Sequence, residues 1–340
     1  MSAMQRHRIV VLDDWTHFFD SHPAVERLRQ RGPVTIHHQP ATSEDEVIAR
    51  LQPATIAIAN RERSPLNARV LGAAENLELL AQTGRVSPNV DLEAASRNGI
   101  AVTTGPGVPG GNAAVAELGL GLLLALARQI PANDRRVRTG DWAAPATVML
   151  KGLTLGILGL GQIGSAMARF GRALEMQVIA WGPTLTAERA AQNQVEYVAF
   201  DDLFRRADVL FISPKLSELT RGIVGAQQIA AMKPSSFVIN VARGPIVDEA
   251  ALVDALRNGR IAGAGLDVYD VEPLPTDHPL TRLDDSNVVL TPHIGWANQR
   301  NFSAFVDNLV ANVIRYLDGD MSVVVNPEAL EARKAASALT

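Results

Sequence analysis

No cysteine occurs among the 340 residues, which excludes disulfides, thiolate nucleophiles and cysteine-ligated zinc and agrees with a reducing compartment. Dense runs of Lys or Arg are missing too. The 32 basic and 36 acidic side chains give a formal charge of -4, without the electrostatic footprint of a nucleic-acid binder, so a small molecule is the expected partner. The longest apolar run, LGLGLLLALA at 118–127, is too short to span a bilayer and reads as a buried helix between Glu117 and Arg128, so no membrane partner is expected. The opening MSAMQRHRIVVLDDW has no apolar core followed by a small-residue cleavage site, and a cytoplasmic location is the expectation. Hydrophobic residues are plentiful at 47%, and the length suits about two domains.

From 8 to 104, β-branched runs (RIVVL, VTIHH, ATIAIAN, LELLAQTG, IAVTT) alternate with helical patterns (PAVERLRQ, SEDEVIARL, DLEAASRNG). Strict alternation predicts an α/β fold with a parallel sheet covered on both faces. GPGVPGGN at 105–112 breaks the pattern, and a long apolar helix is predicted from about Ala113 to Arg128. A second alternating series runs from LTLGILG at 153 to NVVLTP at 287–292. The helical pattern NQRNFSAFVDNLVANVIRYLDG then carries apolar residues at helical spacing suited to packing back on the first domain. The predicted division is 1–109 plus 299–340 for one domain and 110–298 for the other, with a cleft between them. The Ala-rich tail from Glu328 is expected to be a frayed surface helix.

In LTLGILGLGQIGSAMARF, Gly159, Gly161 and Gly164 have GxGxxG spacing between a strand and a helix, with Gln162 and Ile163 completing the loop. The first glycine permits the turn, the second lets backbone approach a pyrophosphate, and the third lets helix and strand pack closely. The helix N-terminus then offers free N–H groups to the phosphates. A ribose-binding acid is expected 18 residues past Gly164, but Gly182 stands there in VIAWGPTLT. Two readings follow. Either NAD binds with its ribose held by backbone or water, or loss of the carboxylate admits the 2′-phosphate of NADP, with Thr184, Thr186, Arg189 or Lys215 as partners. NADP is placed slightly ahead of NAD.

Three further stretches place chemistry at predicted strand ends: Arg243 in INVARGPIVDEAAL, Asp267 and Glu272 in AGLDVYDVEPLP, and His293 in NVVLTPHIGWAN. In an open parallel sheet the carboxyl ends of the strands line one crevice. Beside a dinucleotide, hydride reduction of a carbonyl needs a proton at oxygen, and an acidic substrate needs a partner for its carboxylate. A guanidinium fork suits the last, which singles out Arg243. An imidazole oriented by a carboxylate suits the proton, which singles out His293 with Glu272. Each alone is more often structural; the set in this order is not. Trp296 either walls the substrate pocket or packs the domain junction. The doublet His37-His38 lies on a predicted strand with side chains on opposite faces, so a shared metal is not expected there, and no metal site is predicted.

With these motifs the chain resembles the D-isomer specific 2-hydroxyacid dehydrogenase family over most of its length. The resemblance implies a flavodoxin-like substrate domain, a Rossmann domain for NAD(P)H, and a homodimer. It carries the family's catalytic roles onto Arg243, Glu272 and His293, and makes Asp267 the acid near the nicotinamide. QTGRVSPNVDLEAA is similar to the family's substrate loop, which implies that backbone around Gly84, Arg85 and Val86 holds the substrate carboxylate. Ser213 and Lys215 depart from the usual HxPxT pattern, and the loop lacks the second glycine of GxG. The expected activity is hydride transfer between a nicotinamide cofactor and a 2-keto acid/D-2-hydroxy acid pair. The alternatives are a nucleotide-sensing, corepressor-like binding protein and a dehydrogenase for an oxyanion such as phosphite.

Overall fold

Short aliphatic runs buried on both faces make the strands, as a parallel sheet covered by helices requires. The computed structural model describes residues 7–60, 63–84, 89–105, 111–284 and 286–337. The chain divides into two units, Met1–Pro109 with Asn298–Thr340, and Gly110–Ala297.

The first unit holds β1 (Ile9–Leu12), β2 (Val34–Ile36), β3 (Ile56–Ala59), β4 (Leu79–Gln82) and β5 (Ala101–Thr104). All pairings are parallel, in the order β2-β1-β3-β4-β5, which is the flavodoxin-like order. The helix Gln299–Leu317 belongs to this unit. Its Val306, Leu309, Val310 and Val313 pack with Ile9, Val11, Ile56, Ile58 and Leu79, which is why the chain returns here. The segment beyond it is sewn to β5: Asn326 Oδ1 accepts Val102 N–H at 2.7 Å and Asn326 Nδ2 donates to Ile100 O at 3.0 Å.

Two expectations are corrected in this unit. The tail helix Glu328–Ser337 is packed, not frayed. Ala329 is fully buried, Ser96 Oγ donates to Glu328 Oε1 at 2.8 Å, and Arg333 pairs with Glu78 at 2.8 Å, so polar anchors hold what composition alone leaves loose. The doublet His37-His38 lies beyond β2, not on it. Asp13 takes a left-handed φ of 59° just after β1, which ends the regular ladder β2 pairs with, so the alternation argument does not govern His38.

The second unit holds β6 (Thr154–Leu158), β7 (Gln177–Trp181), β8 (Glu196–Tyr197), β9 (Val209–Ile212), β10 (Phe237–Asn240), β11 (Gly263–Leu266) and β12 (Val288–Leu290). They form one parallel sheet in the order β12-β11-β10-β9-β6-β7-β8. The order reverses between β6 and β9, the topological switch point at which doubly wound sheets bind dinucleotides. The apolar helix Gly111–Ala127 buries Leu122, Leu123 and Leu126 in a core with Phe211 and Ile239. Among the described residues, no single helix is long and apolar enough to cross a membrane.

Candidate active site

In-register rungs pair Asn240 of β10 with Leu266 of β11, and Leu266 with Leu290 of β12. Three neighbouring carboxyl ends therefore emerge side by side. Arg243 follows β10, Asp267 follows β11 directly, and His293 follows β12. Parallel pairing brings together residues far apart in sequence.

His293 Nδ1 lies 2.6 Å from Glu272 Oε2, while Glu272 Oε1 accepts Tyr269 N–H at 3.0 Å. Burial pushes the Glu272 carboxyl up, but the hydrogen bonds from His293 and Tyr269 pull it down by more, leaving it below its ordinary value. Glu272 is thus an anion at neutral pH, and its bond to Nδ1 leaves Nε2 of a part-exposed ring for proton exchange with a ligand.

His293 itself has a left-handed φ of 53°, which for a non-glycine residue costs of the order of 1 kcal/mol or more. Asp267 supplies the restraint that holds it. This buried carboxylate accepts Thr291 O–H at 2.6 Å, Ile294 N–H at 2.8 Å and Gly295 N–H at 2.9 Å, gripping the chain on both sides of His293. Burial raises the Asp267 pKa, opposed by those same donors. The Tyr269 hydroxyl adds a bond to Thr291 O at 2.9 Å. Tyr269 was not singled out from sequence. Its signal is a buried phenol inside the acidic turn DVYDVEP, where both polar ends need partners.

Arg243 is positioned through its backbone. Asn240 Oδ1 accepts Ala242 N–H at 3.0 Å, and Asn240 Nδ2 donates to Arg243 O at 3.1 Å. The guanidinium spends one donor on Ala242 O at 2.6 Å, and no carboxylate pairs with it among the described residues, so the remaining fork is available to an anion. The next residue must be glycine: a Cβ on Gly244 would sit 2.0 Å from the Tyr269 carbonyl carbon, a backbone atom that cannot swing aside. Gly244→Ala is expected to destabilise the protein by about 1–3 kcal/mol in urea denaturation. Gly182→Ala, whose Cβ finds only ordinary contacts from 3.5 Å outward, is expected to match the parent.

The glycine loop occupies the switch point. Gly159 has φ 90°, and a Cβ there would lie 2.8 Å from Pro214 N; a Cβ on Gly164 would lie 2.2 Å from Gly159 O. Both are fixed by the protein's own atoms. A Cβ on Gly161 would meet nothing within 4 Å, so the space left there faces outward, as close approach by a phosphate demands. The helix Gln162–Ala173 begins at this point with no side-chain cap on its free N–H groups. These residues fit a dinucleotide. Gln162 is exposed and accepts from Asn112 Nδ2, Ile163 is half-buried, and Ser213 Oγ donates to Gly159 O at 2.8 Å, tying the loop to β9.

Beyond β7, Gly182 is buried and Thr184 exposed; beyond β9, Lys215 is exposed, and its ammonium has no ion-pair partner among the described residues. Arg189 reaches across this corner, donating to Thr184 O at 3.0 Å and Leu160 O at 3.3 Å. Trp296 is half-buried in the second unit. Gly84 follows β4 in the first unit with φ 76°, and Arg85 and Val86 lie outside the described residues.

A doubly wound sheet, a glycine loop at its switch point and a His–Glu pair at adjoining strand ends define a dinucleotide-dependent class of protein. Residues 120–295 match the D-isomer specific 2-hydroxyacid dehydrogenase, NAD binding domain. The chain is 38% identical over 296 residues to D-3-phosphoglycerate dehydrogenase of Archaeoglobus fulgidus, covering 86% of this chain and 55% of that protein. It is 35% identical to glyoxylate reductase of Korarchaeum cryptofilum, covering 79% of this chain and 82% of that one. The structure of phosphoglycerate oxidoreductase from Vibrio cholerae o395 superposes with a TM-score of 0.84 at 32% identity, covering 92% of this chain and 99% of that one. The chain belongs to the D-isomer specific 2-hydroxyacid dehydrogenase family, and its matched region is that family's NAD binding domain. It spans about half the length of the phosphoglycerate dehydrogenases it matches.

Proposed function

We propose that this protein is an NAD(P)H-dependent reductase of a small 2-keto acid, working reversibly on the D-2-hydroxy acid. The observation that carries the reading is the 2.6 Å His293–Glu272 pair beside the accessible fork of Arg243. The bound cofactor supplies the hydride. In reduction His293 gives its Nε2 proton to the carbonyl oxygen, Glu272 stabilises the imidazolium through Nδ1–H, and Arg243 holds the carboxylate and carbonyl oxygens. Asp267 acts on the same step by keeping His293 in its left-handed pose, and Trp296, three residues on, walls the pocket. Relatives named glyoxylate reductase and D-3-phosphoglycerate dehydrogenase support a short, anionic substrate. A panel of 2-keto acids assayed with NADPH and with NADH tests it: turnover of at least one is expected, and none with either cofactor contradicts it. Tight cofactor binding without turnover favours the corepressor-like reading, and phosphite-dependent reduction of the oxidised cofactor favours the oxyanion reading.

NADP is slightly preferred over NAD. Gly182 removes the carboxylate that would repel a 2′-phosphate, although the backbone has room for a side chain there. Thr184 and Arg189 supply a hydroxyl and a cation after β7, and Lys215 supplies a second cation after β9. Gly182→Asp is expected to shift the kcat/KM ratio about tenfold or more toward NADH, and Lys215→Ala to weaken NADPH without changing NADH. A parent that prefers NADH, with no change in Lys215→Ala, contradicts the NADP assignment.

The same proposal includes a homodimer in the cytoplasm. Ile130, Val137, Trp142 and Met149 are exposed on one stretch of the second unit, with Trp142 at 87% exposure. Exposed apolar side chains of this size suit burial against a second copy of the chain. Trp142→Asp is expected to raise the monomer fraction in sedimentation.

A further inference from the structure

The first unit brings together three side chains that neither the glycine loop nor the catalytic set uses. His17 Nδ1 lies 3.2 Å from Asp20 Oδ2, and His38 Nε2 lies 3.5 Å from the same oxygen. The two imidazoles stack with centroids 4.1 Å apart and planes inclined by 23°. His17 and Asp20 come from the segment following β1 and His38 from the loop following β2, so the cluster stands at the carboxyl edge of two adjacent parallel strands.

We propose that His17, Asp20 and His38 form a binding site for a divalent ion of the zinc class. An ion about 2.1 Å from each of three donors in tetrahedral geometry sets the donors about 3.4 Å apart, and the two measured edges bracket that separation. Two borderline imidazoles and one harder carboxylate form a ligand set that Zn²⁺ accepts, and a water completes the fourth position. The ligand set is also prepared from behind. His38 Nδ1 faces Asp14 O at 3.2 Å, and a backbone carbonyl can only accept, so Nδ1–H donates there and Nε2 is the ring nitrogen left to face an ion beside Asp20. Asp14 is in turn fixed: buried, it accepts Phe18 N–H at 3.1 Å and Phe19 N–H at 3.0 Å. His17 is held in a left-handed conformation, φ 55°, that a non-glycine residue adopts at a cost. Coordination requires the His17 ring to turn about its Cβ–Cγ bond out of the stack so that its plane meets the ion, a motion open to a side chain that is 61% exposed, while His38 keeps its bond to Asp14 O. Among the described residues, no other group of three His or acidic side chains has its donor atoms this close together.

Bound there, the ion links the segment after β1 to the loop after β2 and stabilises the unit by mass action. Calorimetric titration of the full chain with ZnCl₂ in a non-chelating buffer, alongside thermal unfolding with and without Zn²⁺, tests the site. His17→Asn retains a residue that tolerates left-handed φ, and His38→Gln retains a donor toward Asp14 O. The expected result is a single tight site in the parent, a higher Tm with Zn²⁺, and affinity weaker by about tenfold or more in each variant. His293→Ala should keep the site, since its pair is elsewhere. Absence of a tight site in the parent, or equal Zn²⁺ affinity in the parent and both variants, overturns the proposal.

Discussion

Replacing His293 with alanine is expected to lower kcat for keto-acid reduction by about 100- to 10,000-fold, the usual contribution of a positioned general acid, with the cofactor Kd unchanged. The ring touches Glu272 and not the glycine loop, so the two effects separate cleanly. Steady-state kinetics with cofactor fluorescence titration checks both; near-normal kcat sinks the assignment. Glu272→Gln should fall between the two, because an amide still accepts from Nδ1–H but no longer stabilises the imidazolium. The sign of the pH effect follows from the depressed Glu272 pKa. A carboxylate held below its ordinary 4.5 keeps its contribution at and above that pH and loses it only as pH falls through the lower value. The activity loss caused by protonating Glu272 should therefore have its midpoint below pH 4.5 in the parent and be missing from Glu272→Gln.

Arg243→Ala carries the second large effect. Removing one partner of a hydrogen-bonded charge pair costs about 2–4 kcal/mol, or roughly 30- to 1,000-fold in kcat/KM. Both parameters should move: KM rises as the carboxylate loses its partner, and kcat falls as the carbonyl oxygen does. Arg243→Lys should recover only part, since an ammonium is a point charge without the planar fork. An unchanged KM for every accepted keto acid contradicts the role given to Arg243.

Much of the fold is legible in the sequence because parallel sheets leave a periodic mark. Buried runs such as IVVL and IAIA alternate with amphipathic helices, and the topology follows from that alternation. The glycine loop and the strand-end residues are legible for the same reason, as each lies at a fixed offset from a strand. What escaped depends on single backbone angles and long-range hydrogen bonds. The left-handed Asp13 that ends the β1 ladder moves His38 off the strand, and no periodicity encodes it. The tail helix is held by Ser96–Glu328 and Glu78–Arg333 contacts across more than 200 positions, invisible to a local pattern. Asp267 shows a subtler gap: the family resemblance marked it as a residue near the cofactor, whereas the geometry makes it the anchor of the His293 loop.

Isotope transfer separates a hydride-transferring enzyme from a nucleotide-sensing protein. The purified chain would be mixed with reduced cofactor deuterated at the transferable nicotinamide position and with each 2-keto acid in turn, and the products resolved by chiral mass spectrometry. Deuterium at C2 of a D-2-hydroxy acid, lost when His293 is replaced by alanine, is the expected result. Cofactor that binds tightly but gives no deuterated product, or label that appears in an L-hydroxy acid, would contradict the assignment of Arg243, Glu272 and His293 to D-specific reduction.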